Sequence, residues 1–375
     1  MTGKQNRSLS SGRRVVIKVG STLLVDRDRG VVHRRWLETL AEDIARLRKR
    51  GQDVLVVSSG AIALGRRYLG YAAGTLKLEE KQAAAAAGMI RLAHAYQETL
   101  AQHAVTTAQV LLTFGDTENR RRYLNARNTL EQLFRAGAVP IVNENDTVAT
   151  DEIRFGDNDR LAARVAAMIS ADVLVVLSDI DGLYTADPRV QSDAAHIPEV
   201  KAITPEIAAM AGGAKPQDGL GGMITKVEAA KIAMGAGCRM VIFNGHGEHP
   251  LRGLEDGAAC TWFLPSASPR TARKQWIAGA LKPAGRLIVD DGALKALKQG
   301  KSLLPAGVAE VSGNFDRGDA VRVCAPDGTE IARGLCAYAA PDARRIMGHK
   351  SGEIERLLGY RGRDEMIHRD DLILS

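Results

Sequence analysis

The chain has 375 residues, a mass of 40.2 kDa and a formal net charge of +7, with 45% hydrophobic and 25% charged residues. A single core rarely grows past roughly 250 to 300 residues, so we expect one large and one smaller domain. The composition is typical of a soluble globular protein. No apolar run approaches the ~18 residues of a membrane-spanning helix, which argues against a membrane protein.

The N-terminal segment, MTGKQNRSLSSGRR, is polar and basic. It lacks the apolar stretch of a secretory signal, and we therefore expect a cytoplasmic protein. Residues 1–50 contain 13 Lys and Arg against 5 Asp and Glu, whereas residues 277–375 contain 15 against 14. The positive surplus thus lies at the N-terminal end, and the nearly neutral C-terminal part is not typical of a strong nucleic-acid module.

From residue 13 to about residue 264, short apolar strands alternate with helical segments. The predicted strands are VVIKVG, DVLVVSSG, TTAQVLL, AVPIVNEND, ADVLVVLSD and RMVIFNG, and the predicted helices cover 34–50, 80–103, 118–136, 158–170 and 223–236. This alternation predicts βα units around a largely parallel sheet that is covered on both faces. Most strands end in polar or glycine-rich clusters, which predicts a ligand site beyond their carboxyl ends.

Lys18 lies late in the first predicted strand and is followed by Gly20, Ser21 and Thr22. A buried lysine charge needs a partner or a role. The side chain could extend from the strand end into solvent. Alternatively, the glycine and the two hydroxyl groups could leave room and donors for phosphate oxygens.

The segment SSGAIALG places Ser58, Ser59 and Gly60 where a strand passes into a helix. Backbone N–H groups at a helix start can bind a carboxylate or a phosphate. A simple serine N-cap is the other explanation.

The run IVNENDTVATDEIRFGDND, residues 141–159, is the most polar of the chain. It could be a solvated loop, a metal site or a pocket for a zwitterion, whose ammonium needs a carboxylate and whose carboxylate needs amide donors. The mixture of Asn and Asp favours the zwitterion. Calcium is not indicated, because the D-x-[DN]-x-[DN]-G register is absent. The four cysteines form no C-x-x-C pair and favour reduced thiols over zinc ligands, so we assign no metal-binding residue.

Two further segments suggest phosphate contacts. LVVLSDIDGLYTADPR places Ser178 and Asp179 at the end of a buried strand, where they could touch a nucleotide or simply lead into a loop. GLGGMITK, residues 219–226, does not match the P-loop pattern, since Val227 follows the lysine and the glycine spacing differs. It still brings glycines, a helix start and Lys226 together, which suits a transferring phosphoryl group that Lys18 could hold from the other side.

The composition changes at PSASPRTARKQW, residues 265–276, which predicts a linker between domains at 1–264 and 277–375. Four β-rich segments follow, namely RLIVDDG, VAEVSGNF, DAVRVCAPDGTEIARGLCAY and MIHRDDLIL. Asp327 and Gly328 predict a tight hairpin within the third segment. We therefore expect a small β-rich second domain.

The motifs together resemble the glutamate-specific members of the amino acid kinase family. They are KVGST at 18–22, SSGAIALG at 58–65, NEND at 143–146, GDND at 156–159, SDIDGLYTADP at 178–188 and GGMITK at 221–226. The C-terminal part, with SLLPAGVAEVSGNFDRGD and HRDD, resembles the PUA domain of many bacterial members. The resemblance covers nearly the whole chain, and it implies a three-layer α/β/α sandwich around a mainly parallel sheet.

The resemblance also implies an activity, the transfer of a phosphoryl group from ATP, with Mg²⁺, to the γ-carboxylate of L-glutamate at the start of proline biosynthesis. Lys18 and Lys226 would stabilise the transferring group, and Asp159 would hold the two lysines. Glutamate would be bound by Ser59, Asp146 and Asn158. The residues implied for ATP are Lys18, Ser178, Asp179, Leu220, Gly221, Gly222, Met223, Ile224, Thr225 and Lys226. Leu220 replaces the threonine that is commoner in the family, which removes a hydroxyl beside the phosphates. Feedback inhibition by proline and a homo-oligomer are implied as well.

Two alternatives stay open at this point. The chain could act on another acceptor of the family, such as acetylglutamate, aspartate, carbamate or a nucleoside monophosphate. The Asp146 carboxylate favours a free α-ammonium and disfavours an acylated or phosphorylated acceptor. Alternatively, the PUA-like domain could bind RNA in a regulatory role, although its near-neutral charge and the 4% aromatic content of the chain are unfavourable.

Overall fold

The structure is a computed structural model that describes residues 7–72, 74–149, 158–213, 222–269, 271–272 and 283–374. The chain divides into two compact units, Met1–Pro269 and Arg270–Ser375. Each unit has a hydrophobic core of its own. The domain and linker bounds predicted above stay a prediction, and part of the predicted linker lies outside the described residues.

The first unit alternates strands and helices along the chain. Its described strands are β1 (Arg14–Val19), β2 (Val25–Asp26), β3 (Val31–Val32), β4 (Asp53–Ser58), β5 (Thr107–Leu112), β6 (Val139–Glu144), β7 (Val173–Ser178), β8 (Leu183–Tyr184), β9 (His196–Ile197), β10 (Glu199–Val200), β11 (Arg239–Asn244) and β12 (Cys260–Phe263). Its described helices are α1 (Ser21–Leu24), α2 (Arg34–Lys49), α3 (Ala61–Tyr68), α4 (Leu78–Ala101), α5 (Phe114–Glu118), α6 (Arg120–Arg135), α7 (Asn158–Met168), α8 (Pro205–Met210), α9 (Met223–Gly235) and α10 (Pro250–Glu255). The six predicted strands and five predicted helices of this unit are confirmed, with ends that differ by a few residues.

Within the described part of the first unit, eight strands form one sheet in the order β10-β12-β11-β7-β1-β4-β6-β5. The pairings are parallel except that of β11 with β12, which is antiparallel. The predicted mainly parallel sheet is confirmed. β1 lies between β4 and β7, so that Lys18 pairs in register with Val57 and Val176.

Helices cover both faces of this sheet, because alternate residues of each strand point to opposite sides. On β1, Val15, Ile17 and Val19 belong to the core shared with α2, α3 and α4. Val16 belongs to the core shared with α6, α7 and α9. The result is the three-layer arrangement expected from the sequence.

Helices α3 and α4 cross with their backbones in contact. A Cβ atom added at Gly65 would lie 1.7 Å from the carbonyl oxygen of Ala84, and one added at Gly88 would lie 1.8 Å from that of Ala61. Only glycine fits at both positions, and the crossing therefore fixes α4 against α3.

No described helix is both long and apolar enough to cross a membrane.

The second unit contains β13 (Gly285–Val289), β14 (Val308–Gly313), β15 (Ala320–Cys324), β16 (Glu330–Leu335) and β17 (Leu372–Leu374), with α11 (Asp291–Lys298), α12 (Ala340–Ile346) and α13 (Ile354–Leu358). In the described residues, the strands form one sheet in the order β14-β13-β15-β16-β17. The predicted hairpin at Asp327 and Gly328 is confirmed, with Gly328 at a φ of +84°. Of the predicted β-rich segment MIHRDDLIL, Leu372–Leu374 forms a strand. Its middle does not, because a nitrogen of the His368 side chain accepts the Asp370 N–H and starts a 3-10 turn at Arg369–Asp371.

Candidate active site

A buried ion-pair cluster joins three side chains from three elements. Nζ of Lys18 lies 2.6 Å from Oδ1 of Asp159, and Nζ of Lys226 lies 3.1 Å from Oδ2 of the same carboxylate. Each of the three residues is at most 8% exposed. Two lysines therefore share one carboxylate, and the cluster carries a net positive charge.

The fold explains why these three residues meet. Lys18 is two residues after Val16 on β1, and side chains two residues apart on a strand point to the same face. Lys18 therefore points to the sheet face that α7 and α9 cover. Asp159 is the second residue of α7, and Lys226 is the fourth residue of α9. Helix starts lie at the carboxyl edge of a parallel sheet, where the end of β1 also lies. The cluster therefore forms at the edge that the strand-end motifs predicted.

Charge pairing dominates the electrostatics of the cluster. Burial alone would raise the pKa of Asp159, but the ammonium groups of Lys18 and Lys226 hold that pKa far below its ordinary value. Asp159 is thus ionised at every physiological pH. The positive end of α9 adds to the field at this position, since helix N-termini carry partial positive charge.

Part of the predicted ATP loop contacts the same carboxylate. The Thr225 hydroxyl lies 3.2 Å from Oδ2 of Asp159 and 2.9 Å from the carbonyl oxygen of Gly222, the N-cap of α9. Met223 and Ile224 form the first turn, and the Ile224 side chain is 40% exposed. Leu220 and Gly221 lie outside the described residues.

A second group of polar side chains surrounds Asn158, at the start of α7. Nδ2 of Asn158 donates to Oγ of Ser59 at 2.8 Å and to the carbonyl oxygen of Ser58 at 3.2 Å. It also lies 3.5 Å from Oδ1 of Asn143, which accepts the backbone N–H of Glu144. Asn158 is adjacent to Asp159 in the chain, so this group borders the ion-pair cluster.

Asp146 is a buried carboxylate just beyond β6. It is 8% exposed, and burial raises its pKa to about 6. Among the described residues, no lysine, arginine or histidine lies within ion-pair distance of it. A buried carboxyl group with a raised pKa and no cationic partner among the described residues is a candidate functional group.

Ser178 and Asp179 follow β7 at the same edge of the sheet. The Ser178 hydroxyl donates to Oδ1 of Asp179 at 3.0 Å, and the Ser178 carbonyl oxygen accepts the N–H of Gly245 at 2.8 Å. Ser178 is buried and Asp179 is exposed. Within the described residues, the hydrogen bonds link Thr225 to the ion-pair cluster but do not link Ser178, Asp179, Met223 or Ile224 to it.

The described residues contain no group of three or more His, Cys, Asp or Glu side chains that could hold a metal ion. The arrangement can neutralise anions through two ammonium groups and can accept an ammonium group at Asp146. The sequence motifs did not indicate one side chain that lies behind Ser58 and Asn158. Tyr96 lies on α4 among apolar residues, and its hydroxyl is 3.1 Å from Oγ of Ser58. A tyrosine within an apolar stripe was the available signal, since a buried hydroxyl requires a partner.

Comparison with known proteins gives family matches in both units. The model described as the amino acid kinase family matches residues 13–244, and the PUA domain model matches residues 285–358. Glutamate 5-kinase of Paramagnetospirillum magneticum is 64% identical, over 98% of this chain and 99% of that protein. Glutamate 5-kinase of Rhodospirillum rubrum is 62% identical, over 96% of each. Carbamate kinase from Giardia lamblia bound to AMP-PNP is 16% identical, covers 69% of this chain and 100% of that chain, and has a TM-score of 0.49.

Proposed function

The chain belongs to the amino acid kinase family, and on that premise we propose that it transfers the γ-phosphoryl group of ATP to the γ-carboxylate of L-glutamate. The product is L-glutamyl 5-phosphate, the first intermediate of proline biosynthesis. The observation that carries the proposal is the buried cluster of Lys18, Asp159 and Lys226. The near full-length similarity to glutamate 5-kinases supports the choice of acceptor.

The chemistry needs charge neutralisation more than it needs a base. A γ-carboxylate is already an anionic nucleophile at neutral pH, and the obstacle is its repulsion from the phosphates of ATP. Phosphoryl transfer depends mainly on positioning and on electrostatic stabilisation. Two lysines held at opposite oxygens of Asp159 supply positive charge from fixed positions.

We assign the transfer step to these two ammonium groups. A γ-carboxylate oxygen of glutamate forms a bond to the γ-phosphorus as the bond to the β,γ-bridging oxygen breaks, and ADP leaves with the electron pair. Each lysine ammonium carries a positive charge and N–H donors. Lys18 and Lys226 then donate to the phosphoryl oxygens, where negative charge must be stabilised. Mg²⁺ enters with ATP as part of the co-substrate.

We assign nucleotide contacts to Ser178, Asp179 and the start of α9. Ser178 and Asp179 lie at the carboxyl end of β7, next to the end of β1. Gly222 and Thr225 lie at the N-terminus of α9, where backbone N–H groups and the helix dipole favour phosphate. The family resemblance implies nucleotide contacts for Leu220 and Gly221 as well.

We assign the binding of the acceptor, glutamate, to Ser59, Asp146 and Asn158, which we call the acceptor side of the site. The Asp146 carboxylate would pair with the α-ammonium of glutamate, which compensates its burial. An N-acetylated acceptor lacks that cation and would leave the carboxylate buried without a partner. Recognition of a free amino acid follows.

The test traps the acyl phosphate product with hydroxylamine. Purified protein with ATP, Mg²⁺, L-glutamate and hydroxylamine is expected to form γ-glutamyl hydroxamate. Parallel reactions use N-acetyl-L-glutamate, L-aspartate, carbamate and UMP, with ADP release as the common signal. ADP release with one of these acceptors, and none with glutamate, would refute the assignment.

Three further assignments derive from the family resemblance. We propose that proline inhibits the reaction, that the protein is a homo-oligomer and that it acts in the cytoplasm. Addition of proline to the hydroxamate assay tests the first, and sedimentation of the purified protein tests the second. Fractionation of cells tests the third.

A further inference from the structure

The Tyr96 hydroxyl is a buried polar group without a part in the mechanism above. Tyr96 lies on α4 with 0% exposure, and its hydroxyl oxygen is 3.1 Å from Oγ of Ser58. The Ser58 hydroxyl donates to the carbonyl oxygen of Ser59 at 3.2 Å. Since a hydroxyl has one proton, Tyr96 is the donor to Ser58. Burial raises the pKa of Tyr96, so that the donor proton is retained.

Ser58 connects this hydroxyl to the acceptor side. Its carbonyl oxygen accepts from Nδ2 of Asn158, and that same nitrogen donates to Oγ of Ser59. A series of contacts therefore runs from Tyr96 to the Asn158 carboxamide, made of hydrogen bonds at both ends and of the covalent chain of Ser58 and Ser59 between them. The turn contains Ser59, which the proposed function assigns to glutamate.

The series fixes which end of the Asn158 carboxamide is available to a ligand. Nδ2 is committed to protein acceptors, whereas Oδ1 is buried and has no hydrogen-bond partner among the described residues. A buried acceptor without a partner is costly, and a donor from the ligand removes that cost. The α-ammonium of glutamate is such a donor.

Helix α4 is a rigid support for this series. The backbone contact at Gly65 and Gly88 prevents α4 from moving towards α3, the helix that begins directly after the Ser58 turn. Tyr96 stands two helical turns after Gly88 on α4. The phenol ring is therefore carried by a helix that is in direct backbone contact with the helix following the turn.

We propose that Tyr96 is a positioning residue for the glutamate site, which acts through Ser58 on the orientation of Ser59 and Asn158. This inference rests on the proposed function, because it assumes that glutamate is the ligand bound there. Tyr96 touches neither substrate in this scheme. Its loss should weaken glutamate binding and leave the nucleotide side unchanged.

The experiment compares Tyr96→Phe with Thr99→Val in the full chain. Thr99 is a matched control, because it is a buried hydroxyl residue on the same helix and donates only within α4, to the Ala95 carbonyl oxygen at 2.7 Å. Tyr96→Phe is expected to raise KM for glutamate about fivefold, which equals about 1 kcal/mol, with KM for ATP within twofold of wild type. Thr99→Val is expected to leave both KM values unchanged.

A second variant, Ser58→Ala, removes the other hydroxyl of the pair. It should raise KM for glutamate to a similar extent, and the double variant should show no further increase if the two hydroxyls act through each other. An unchanged glutamate KM in both single variants would overturn the inference, as would an equal rise in the KM for ATP. Failure of the proposed function can be distinguished from failure of this inference, since the wild-type protein would then give no product from glutamate.

Discussion

Substitution of Asp159 by Asn tests whether one carboxylate holds both lysines. The change keeps the size of the side chain and removes its charge at a site that is 1% exposed. At the observed separations of 2.6 and 3.1 Å, Coulomb attraction with an effective dielectric of 20 is about 6 and about 5 kcal/mol. Desolvation of the charged groups offsets much of this attraction. Removal of one partner of a buried pair typically costs about 3–5 kcal/mol, the loss of unfolding free energy that we expect at pH 7.

The pH dependence of that loss has a definite sign. The folded-state pKa of Asp159 is depressed below its ordinary value of 3.8. The ionised carboxylate therefore contributes its full stability above about pH 4, and this contribution disappears as the pH falls through the folded-state pKa. The difference between wild type and Asp159→Asn should be constant from pH 5 to pH 8 and should shrink only in acid.

Activity should fall more than stability alone explains. Without the carboxylate the ammonium groups of Lys18 and Lys226 repel each other, and a displacement on the order of 1 Å costs about 100-fold in rate. We therefore expect kcat to fall about 100-fold. Asp43→Asn is the matched control, because Asp43 is also 1% exposed and pairs with Arg46 at 3.2 Å.

The assays are urea unfolding followed by tryptophan fluorescence and steady-state formation of the hydroxamate. Asp43→Asn should lose stability and keep its kcat. The reasoning is refuted if Asp159→Asn unfolds at the same urea concentration as wild type with kcat within twofold. It is also refuted if Asp43→Asn loses as much kcat, since general destabilisation would then account for the effect.

Two further predictions concern the lysine of α9 and the carboxylate of the acceptor side. Lys226→Ala should lower kcat about 10²–10³-fold with little change in the glutamate KM, because the lysine stabilises the transition state. The exposed Lys231 on the same helix provides the control, and equal kcat in the two variants would remove Lys226 from the mechanism. Because burial raises the pKa of Asp146 to about 6 and the ionised form binds ammonium, kcat/KM for glutamate should fall about tenfold per pH unit below 6. Asp146→Asn should lack this dependence, and a flat wild-type profile between pH 5 and pH 7.5 would contradict the assignment.

Much of the first unit could be predicted from local pattern. Strands such as β1 and β7 are nearly continuous apolar runs, and helices such as α2 have a strong helical period of apolar residues. The local sequence of each such segment therefore predicts its secondary structure. The C-terminal segment MIHRDDLIL shows the limit of this approach. Apolar residues at both of its ends favour β structure, but a contact from the His368 side chain to the backbone decides the conformation of the polar middle. Such a contact depends on geometry that the apolar pattern does not contain.

The sequence by itself determined the strand-end motifs and, through resemblance, the candidate residues Lys18, Asp159 and Lys226. The resemblance also implied that Asp159 holds both lysines, and the tertiary structure supplied the distances and the physical reason. Lys18 points to the sheet face that α7 and α9 cover, and both helices start at the edge where β1 ends. Only the tertiary structure decided the pKa of Asp146, which depends on burial by distant segments. The sequence indicates that a buried Tyr96 hydroxyl needs a partner, but it does not identify Ser58 as that partner, since the contact requires two helices to cross at glycines that only the fold brings together.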